Sequence, residues 1–239
     1  MDYSPTRRIA LTLLISLLAL ALPGCPEANQ PSDTSSLASP QDLYRQARTI
    51  EDRVASSPAE AAANLQQART IYIRALAAGP SSDLDAYIRA GLANVAFFQD
   101  DYKTAIDQWS ASSDRITDPQ LKSMLLLRLG TAQQRLGLFD QADRTFMTLQ
   151  EQFPQSEASR VARPKYGARQ FYVQLAVFSQ PTLAEKAITQ LHKQGFSVAH
   201  STDSQNRQVI SVGPYRTYPE AQFAKSRLTS EYQSSFIQP

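Results

Sequence analysis

Four sets of residues in this chain recur at an interval of 37 positions: Ala68, Ala105 and Ala142; Tyr72, Trp109 and Phe146; Ala75, Ser112 and Leu149; Pro80, Thr117 and Pro154. A unit of that length cannot bury a core by itself, so neighbouring copies must stack, and the middle of the chain is restricted to a quasi-one-dimensional array. Between residues 41 and 154 the apolar positions follow a helical period, as in Leu43, Ala47, Ile50 and Val54, with little strand-like alternation. The array is therefore expected to be all-helical. In each copy the small residue lets two helices approach, and the large residue one turn later fills the gap to the next pair. Trp109 falls on that large position and reads as packing rather than as a ligand platform.

The last copy carries Leu129, Gly130, Gly137, Phe139, Ala142, Phe146 and Pro154, and it resembles a tetratricopeptide repeat; the middle copy keeps Leu92, Ala93, Tyr102, Ala105 and Trp109. The first copy matches only in its second helix. The resemblance implies helix pairs stacked into a solenoid whose concave groove docks another protein, here an envelope protein that the sequence does not identify. The interval of 37, against the usual repeat of about 34, places longer turns between copies, as around residues 114–119.

At the start of the chain Arg7 and Arg8 precede an apolar stretch at residues 9–22, interrupted only by Thr12 and Ser16. A helical span needs about 20 apolar residues, so this stretch has the length of an export signal rather than of a membrane anchor. It ends in Leu22-Pro23-Gly24-Cys25, which resembles a bacterial lipobox, with Pro23 where a small or hydroxyl residue is usual. The resemblance implies removal of residues 1–24 as a lipoprotein signal peptide and acylation of Cys25. Cys25 is the only cysteine, so lipidation leaves no free thiol in an oxidising compartment. Pro26 follows in place of the aspartate associated with inner-membrane retention, which by the same resemblance favours a membrane contact through the N-terminal lipid at the outer membrane, facing the periplasm. Residues 25–40 are rich in Pro, Ser, Asn and Gln and read as a flexible tether.

Residues 155–169 are polar and carry Arg160, Arg163 and Lys165, and they read as a solvated linker. Residues 170–239 then change pattern. Strands are expected at 171–178, 196–201, 208–212 and 236–237, and helices at 182–193 and 218–230. Thr182 with Glu185 and Thr217 with Glu220 have capping-box spacing, and Gly195 stands where a left-handed helix cap is needed. The order βαββαβ predicts an α+β, ferredoxin-like domain: an antiparallel sheet with both helices on one face and the other face bare. Strand alternation puts Val173, Leu175 and Val177 with Ile210 and Val212 in the core, leaving Tyr172, Gln174, Ala176, Arg207, Val209 and Ser211 outward.

The run from Tyr172 to Ser179, then Gly195-Phe196, then Val209-Ile210-Ser211-Val212-Gly213-Pro214-Tyr215, then Ala221 and Leu228, resembles the SPOR (sporulation-related repeat) family. Membership implies binding of peptidoglycan glycan strands on the bare face, where the amide of Gln174 both donates and accepts. Arg207 and Gln208 stand where many members place an aromatic, which leaves Tyr172 as the candidate for stacking on a sugar ring.

Nothing in the chain assembles catalytic machinery. His192 and His200 have no metal-ligand spacing, no glycine loop or nucleophile elbow is present, and Asp100-Asp101 falls at a turn where carboxylates cap helices. No cofactor or metal is implied. With 24 basic against 22 acidic residues and no polybasic run, the chain has no footprint for nucleic acid. An RNA-recognition module shares the βαββαβ order, but it needs paired aromatics and flanking basic residues on the third strand. The expectation is thus a non-catalytic envelope lipoprotein of cell division or wall remodelling, the alternative being a helical scaffold whose C-terminal domain is structural.

Overall fold

The computed structural model describes residues 38–239; the export segment, Cys25 and most of the tether lie outside them. Seven α-helices precede the first strand in the described chain: α1 (Pro40–Glu51), α2 (Pro58–Ala77), α3 (Ser82–Phe98), α4 (Tyr102–Ser112), α5 (Pro119–Arg135), α6 (Phe139–Gln152) and α7 (Glu157–Ala162). Their starts are written locally. Ser39, Ser57, Ser81, Asp101, Asp118 and Ser156 each accept a hydrogen bond from a backbone N–H of the following first turn, and Pro40, Pro58 and Pro119 occupy first-turn positions where no N–H is missed. Ser39 and Pro40, read as tether, therefore begin α1.

Consecutive helices pair as α1 with α2, α3 with α4 and α5 with α6. The 37-residue register lands on the second helix of each pair. Ala68, Tyr72 and Ala75 on α2, Ala105, Trp109 and Ser112 on α4, and Ala142, Phe146 and Leu149 on α6 are all fully buried. Close approach also depends on two glycines. A Cβ at Gly91 would lie 2.3 Å from the Tyr72 ring, and one at Gly130 would lie 2.4 Å from that of Phe146.

Residues 155–169, expected to be a solvated linker, are instead folded against the helices. They hold α7 and a turn of 3₁₀-helix at Arg163–Lys165, with Ala158, Ser159 and Ala162 buried against α5 and α6. The Gln134 amide donates to the Lys165 carbonyl at 2.6 Å, and the Asp143 carboxylate accepts from the Gly167 N–H at 2.9 Å and from Arg169 at 2.7 Å. Basic residues on the outer side mask this buried small-residue side when the stretch is read by composition.

Strands β1 (Phe171–Phe178), β2 (Val198–Thr202), β3 (Gln208–Tyr215) and β4 (Phe236–Gln238) form an antiparallel sheet in the order β2-β3-β1-β4, with α8 (Pro181–Lys193) and α9 (Tyr218–Leu228) between them in the chain. Ala184 and Leu191 of α8 and Ala221, Ala224 and Leu228 of α9 bury with Val173, Leu175, Ile210 and Val212, so both helices cover one side of the sheet. The capping box at Thr217 and Glu220 is present, and Gly195 has φ +86°. Thr182 does not cap α8: Pro181 takes the first helical position behind Gln180 and draws Thr182 inside.

The sheet core does not stop at the sheet. Arg135, at the end of α5, sets its guanidinium 5.0 Å from the ring centroids of Phe97 and Tyr102 and 4.6 Å from that of Tyr218, and donates to the Tyr102 hydroxyl at 2.8 Å. Tyr218 meets Tyr102 and Phe171 edge-on, and Phe171 meets Phe139. Burial, and then the hydrogen bond to the Asp100 carboxylate, pushes the Tyr102 phenol well above its usual range, so it stays neutral. Asp100 also accepts from Gln222 of α9 at 3.3 Å. Ala38–Pro239 is accordingly one compact unit. Cation–π contacts contribute from roughly 0.5 kcal/mol at exposed sites to about 2 kcal/mol where they are desolvated. Arg135→Ala is expected to cost about 1–3 kcal/mol and to split a single calorimetric transition into separate transitions of helices and sheet. One unchanged transition would show that Arg135 does not join them.

Candidate functional site

The side of the sheet away from α8 and α9 is assembled by register. Phe236 on β4, Gln174 on β1, Ser211 on β3 and Ala199 on β2 are directly opposite one another and form one cross-sheet row. Tyr172 pairs with Gln238 beside that row, and on the other flank Val177, Val209 and Ser201 form a second row. None of these side chains carries a charge. Phe236 is 48% exposed and Gln174 and Tyr172 are half-buried, while Ser211, though on this side, is only 6% exposed. Among the described residues nothing hydrogen-bonds the Gln174 amide, which leaves its donors and acceptor to a ligand.

Strict alternation fails in β1. The β1–β3 pairing shifts between Gln174 and Ala176, so that Leu175 and Ala176 together face the single residue Ile210. Such a bulge turns the following residues over. Ala176, expected outward, therefore belongs to the helix side with fully buried Ile210, and Val177, expected in the core, is 39% exposed opposite Val209. Phe178 turns inward and packs on the core cluster. A second shift between Phe171 and Val173 absorbs the extra residue of the Gly213–Pro214 segment before Tyr215.

Arg207 stands outside the strand, in the turn joining β2 to β3. Its guanidinium is 2.7 Å from the Asp203 carboxylate, which also accepts the Arg207 backbone N–H at 2.9 Å. The Arg207 backbone N–H, and then its guanidinium, hold the Asp203 carboxyl below its ordinary range, and the charge of Arg207 is matched within the hairpin rather than presented alone. Of the six residues expected to form the face, Tyr172, Gln174, Val209 and Ser211 share it, Arg207 borders it and Ala176 leaves it. Sequence reading missed Phe236 and Gln238. Their strand spans Phe236–Gln238, too short for alternation to be legible, and only pairing with β1 reveals which side they take.

Residues 167–239 match the family model of the SPOR domain. The chain carries a C-terminal SPOR domain. Such domains bind peptidoglycan without catalysing a reaction, and occur in periplasm-facing envelope proteins, commonly those of cell division. The match begins just after the 3₁₀ turn at Arg163–Lys165, so α1 to α7 are described by their structure alone. No curated protein matches the chain. Among the described residues no helix is long and apolar enough to cross a membrane.

The remaining sequence candidates have structural places. His200 meets the Gln208 amide oxygen at 2.6 Å along the sheet edge, and His192 lies in the last turn of α8. No cluster of potential metal ligands occurs among the described residues. Asp101 caps α4, and Trp109 is packed against Phe97 with no exposed surface.

The bulge makes a stability test of two residues that regular alternation would treat alike. Leu175→Ala should destabilise the domain by about 2–5 kcal/mol, whereas Val177→Ala should cost less than about 1 kcal/mol, the range of exposed positions. Chemical denaturation of the two variants checks it; equal large losses would restore Val177 to the core.

Proposed function

We propose that this chain is a non-catalytic, lipid-anchored envelope protein that holds peptidoglycan glycan strands on the uncovered side of its SPOR domain and docks another envelope protein on tetratricopeptide-like helices. The observation that carries the reading is the coincidence of the SPOR match with an uncharged, uncovered face whose central row pairs a free amide, Gln174, with an exposed ring, Phe236. A glycan strand offers hydroxyl and N-acetyl groups to the amide and a C–H face to the ring. Phe236, with Tyr172, supplies the aromatic surface that the start of β3 lacks. The anchor is proposed at acylated Cys25, on the inner leaflet of the outer membrane, with residues 25–40 as tether. The docking role of the helices is supported by their stacked pairs, whose first members, α1, α3 and α5, lie side by side. The contact of the SPOR domain with the helices favours a second reading, in which that domain is mainly structural.

Sedimentation with amidase-treated peptidoglycan sacculi separates the two readings. A neutral hydrogen bond contributes about 0.5–1.5 kcal/mol net, so Gln174→Ala should weaken binding by roughly 2- to 13-fold with an unchanged melt. Phe236→Ala should weaken it several-fold, and Arg207→Ala least, since Asp203 already engages that guanidinium. Wild-type sedimentation that survives the loss of both Gln174 and Phe236 would move the glycan off this face, and no sedimentation at all would favour the structural reading. Incorporation of radiolabelled lipid into wild type and not into Cys25→Ser is the expected result for the anchor; equal label in both would remove it. For docking, crosslinking with mass spectrometry should lose an envelope partner when residues 41–154 are deleted.

A further inference from the structure

The Gly213-Pro214-Tyr215 segment that ends β3 has a use beyond the sheet. With the turn before β2 and one ridge of α9 it walls an open cleft of about 320 Å³, at the lower end of the range for small-ligand sites. Glu220, Phe223 and Arg227 succeed one another at intervals of three and four residues on α9, so they share the ridge that lines this cleft. Phe196, 8% exposed and part of the core, also lines it, and the Arg227 guanidinium lies 4.8 Å from its ring centroid. Phe223, 68% exposed, adds an apolar wall. The core has no need of it, since Ala221, Ala224 and Leu228 are the residues that bury this helix.

The polar groups of the cleft are unmatched and of opposite kinds. Among the described residues Arg227 has no acceptor and no ion-pair partner, and the Tyr215 hydroxyl has no hydrogen bond. Burial pushes the Tyr215 phenol up while the Arg227 charge draws it part of the way back, so guanidinium and hydroxyl are neighbours and both offer donors. Glu220 stands seven residues before Arg227, about 10 Å along a helix. One of its carboxylate oxygens accepts from the N–H groups of Arg216 at 3.0 Å and Thr217 at 3.4 Å, and the other has no partner among the described residues. Donors towards one end of the ridge, an acceptor at the other and ring surface between them match about three residues of extended chain, with a carboxylate at one end.

We propose that this cleft is a second binding site, and that its occupant is the carboxyl-terminal end of a protein whose last residue is bulky and apolar. The terminal carboxylate meets the Arg227 fork and the Tyr215 hydroxyl, the last side chain lies against Phe223 and Pro214, and an N–H or ammonium donor two residues earlier faces Glu220. A chain end brings its carboxylate and its last side chain to adjacent places, as the spacing of Arg227 and Phe223 requires. A methyl group there would leave the Phe223 ring uncovered. The cleft is built on α9, which covers the side of the sheet opposite to Gln174 and Phe236, so the inference stands apart from the glycan reading.

The test uses the full chain and three peptides labelled with fluorescein at the amino end: Gly-Ser-Lys-Ala-Phe as the free acid, the same sequence as the carboxyl-terminal amide, and Gly-Ser-Lys-Ala-Ala as the free acid. Fluorescence anisotropy should show the Phe-ended acid binding roughly tenfold or more tightly than its amide, the difference made by a charge-assisted hydrogen bond, and more tightly than the Ala-ended acid. Arg227→Gln should bring the Phe-ended acid down to the level of the amide, and Phe223→Ser should weaken acid and amide alike. Both side chains are exposed, so both variants should melt with wild type, and both should still sediment with peptidoglycan sacculi. No binding of any peptide, equal binding of acid and amide, equal binding of the two acids, or undiminished binding of the acid by Arg227→Gln would each overturn the site. Loss of peptide and sacculi together in either variant would put both ligands on one surface and overturn it too, whereas sacculi lost only by Gln174→Ala would leave the two readings separate, as expected.

Discussion

Arg135 binds two kinds of architecture into one body. Its guanidinium touches rings from α3, α4 and α9, and the last of these belongs to the sheet domain. The choice of residue matters physically. A guanidinium is planar and weakly hydrated, so it can lie flat between rings at a desolvation cost that an ammonium would not escape. Around it Phe139 meets Phe171 and Tyr102 meets Tyr218, so the contact is an extension of the core rather than a surface touch. The connector adds a second attachment through Asp143, which takes the Gly167 N–H and the Arg169 guanidinium. A domain hung on a solvated spacer could present its face in any direction. This one presents it at a fixed angle to the helices.

That rigidity gives the β1 bulge its importance. A sheet with both helices on one side leaves its other side available, but which residues arrive there depends on register. Regular alternation through β1 would have put Ala176 outward and buried Val177. The extra residue at Leu175 keeps Gln174 outward and carries Val177 out beside Val209. The outer side thus gains apolar surface on one flank and retains its amide at the centre, without a charged side chain on either.

Much of this is legible in the sequence, for reasons that differ by element. The helical pairs announce themselves because their buried positions repeat, and nine residues in register are enough to survive the noise of any one helix. β1 is legible to within its ends, since eight residues allow alternation to be counted. The bulge within it is not, because an insertion of one residue leaves local composition unchanged and shows only against a partner strand. The same limit hides Phe236, whose side is set by pairing across the chain with Gln174. α7 escapes notice for another reason: six residues with arginine on one side and small residues on the other average to the composition of a linker. Parity puts Arg207 on the face, and parity cannot reveal that Asp203 already engages it.

The two surfaces that result differ in the physics they bring to a ligand. The sheet side is uncharged, so attraction there comes from hydrogen bonds and ring contact, short-range interactions that salt screens little. Among the helices, Arg128 stands over the exposed Phe98 ring, a charged group whose electrostatic reach is set by ionic strength. With the helices and the sheet packed together through Arg135, the two surfaces keep one orientation to each other. Because that contact is built from packed rings rather than a solvated spacer, the direction in which the sheet side is presented follows from the core itself.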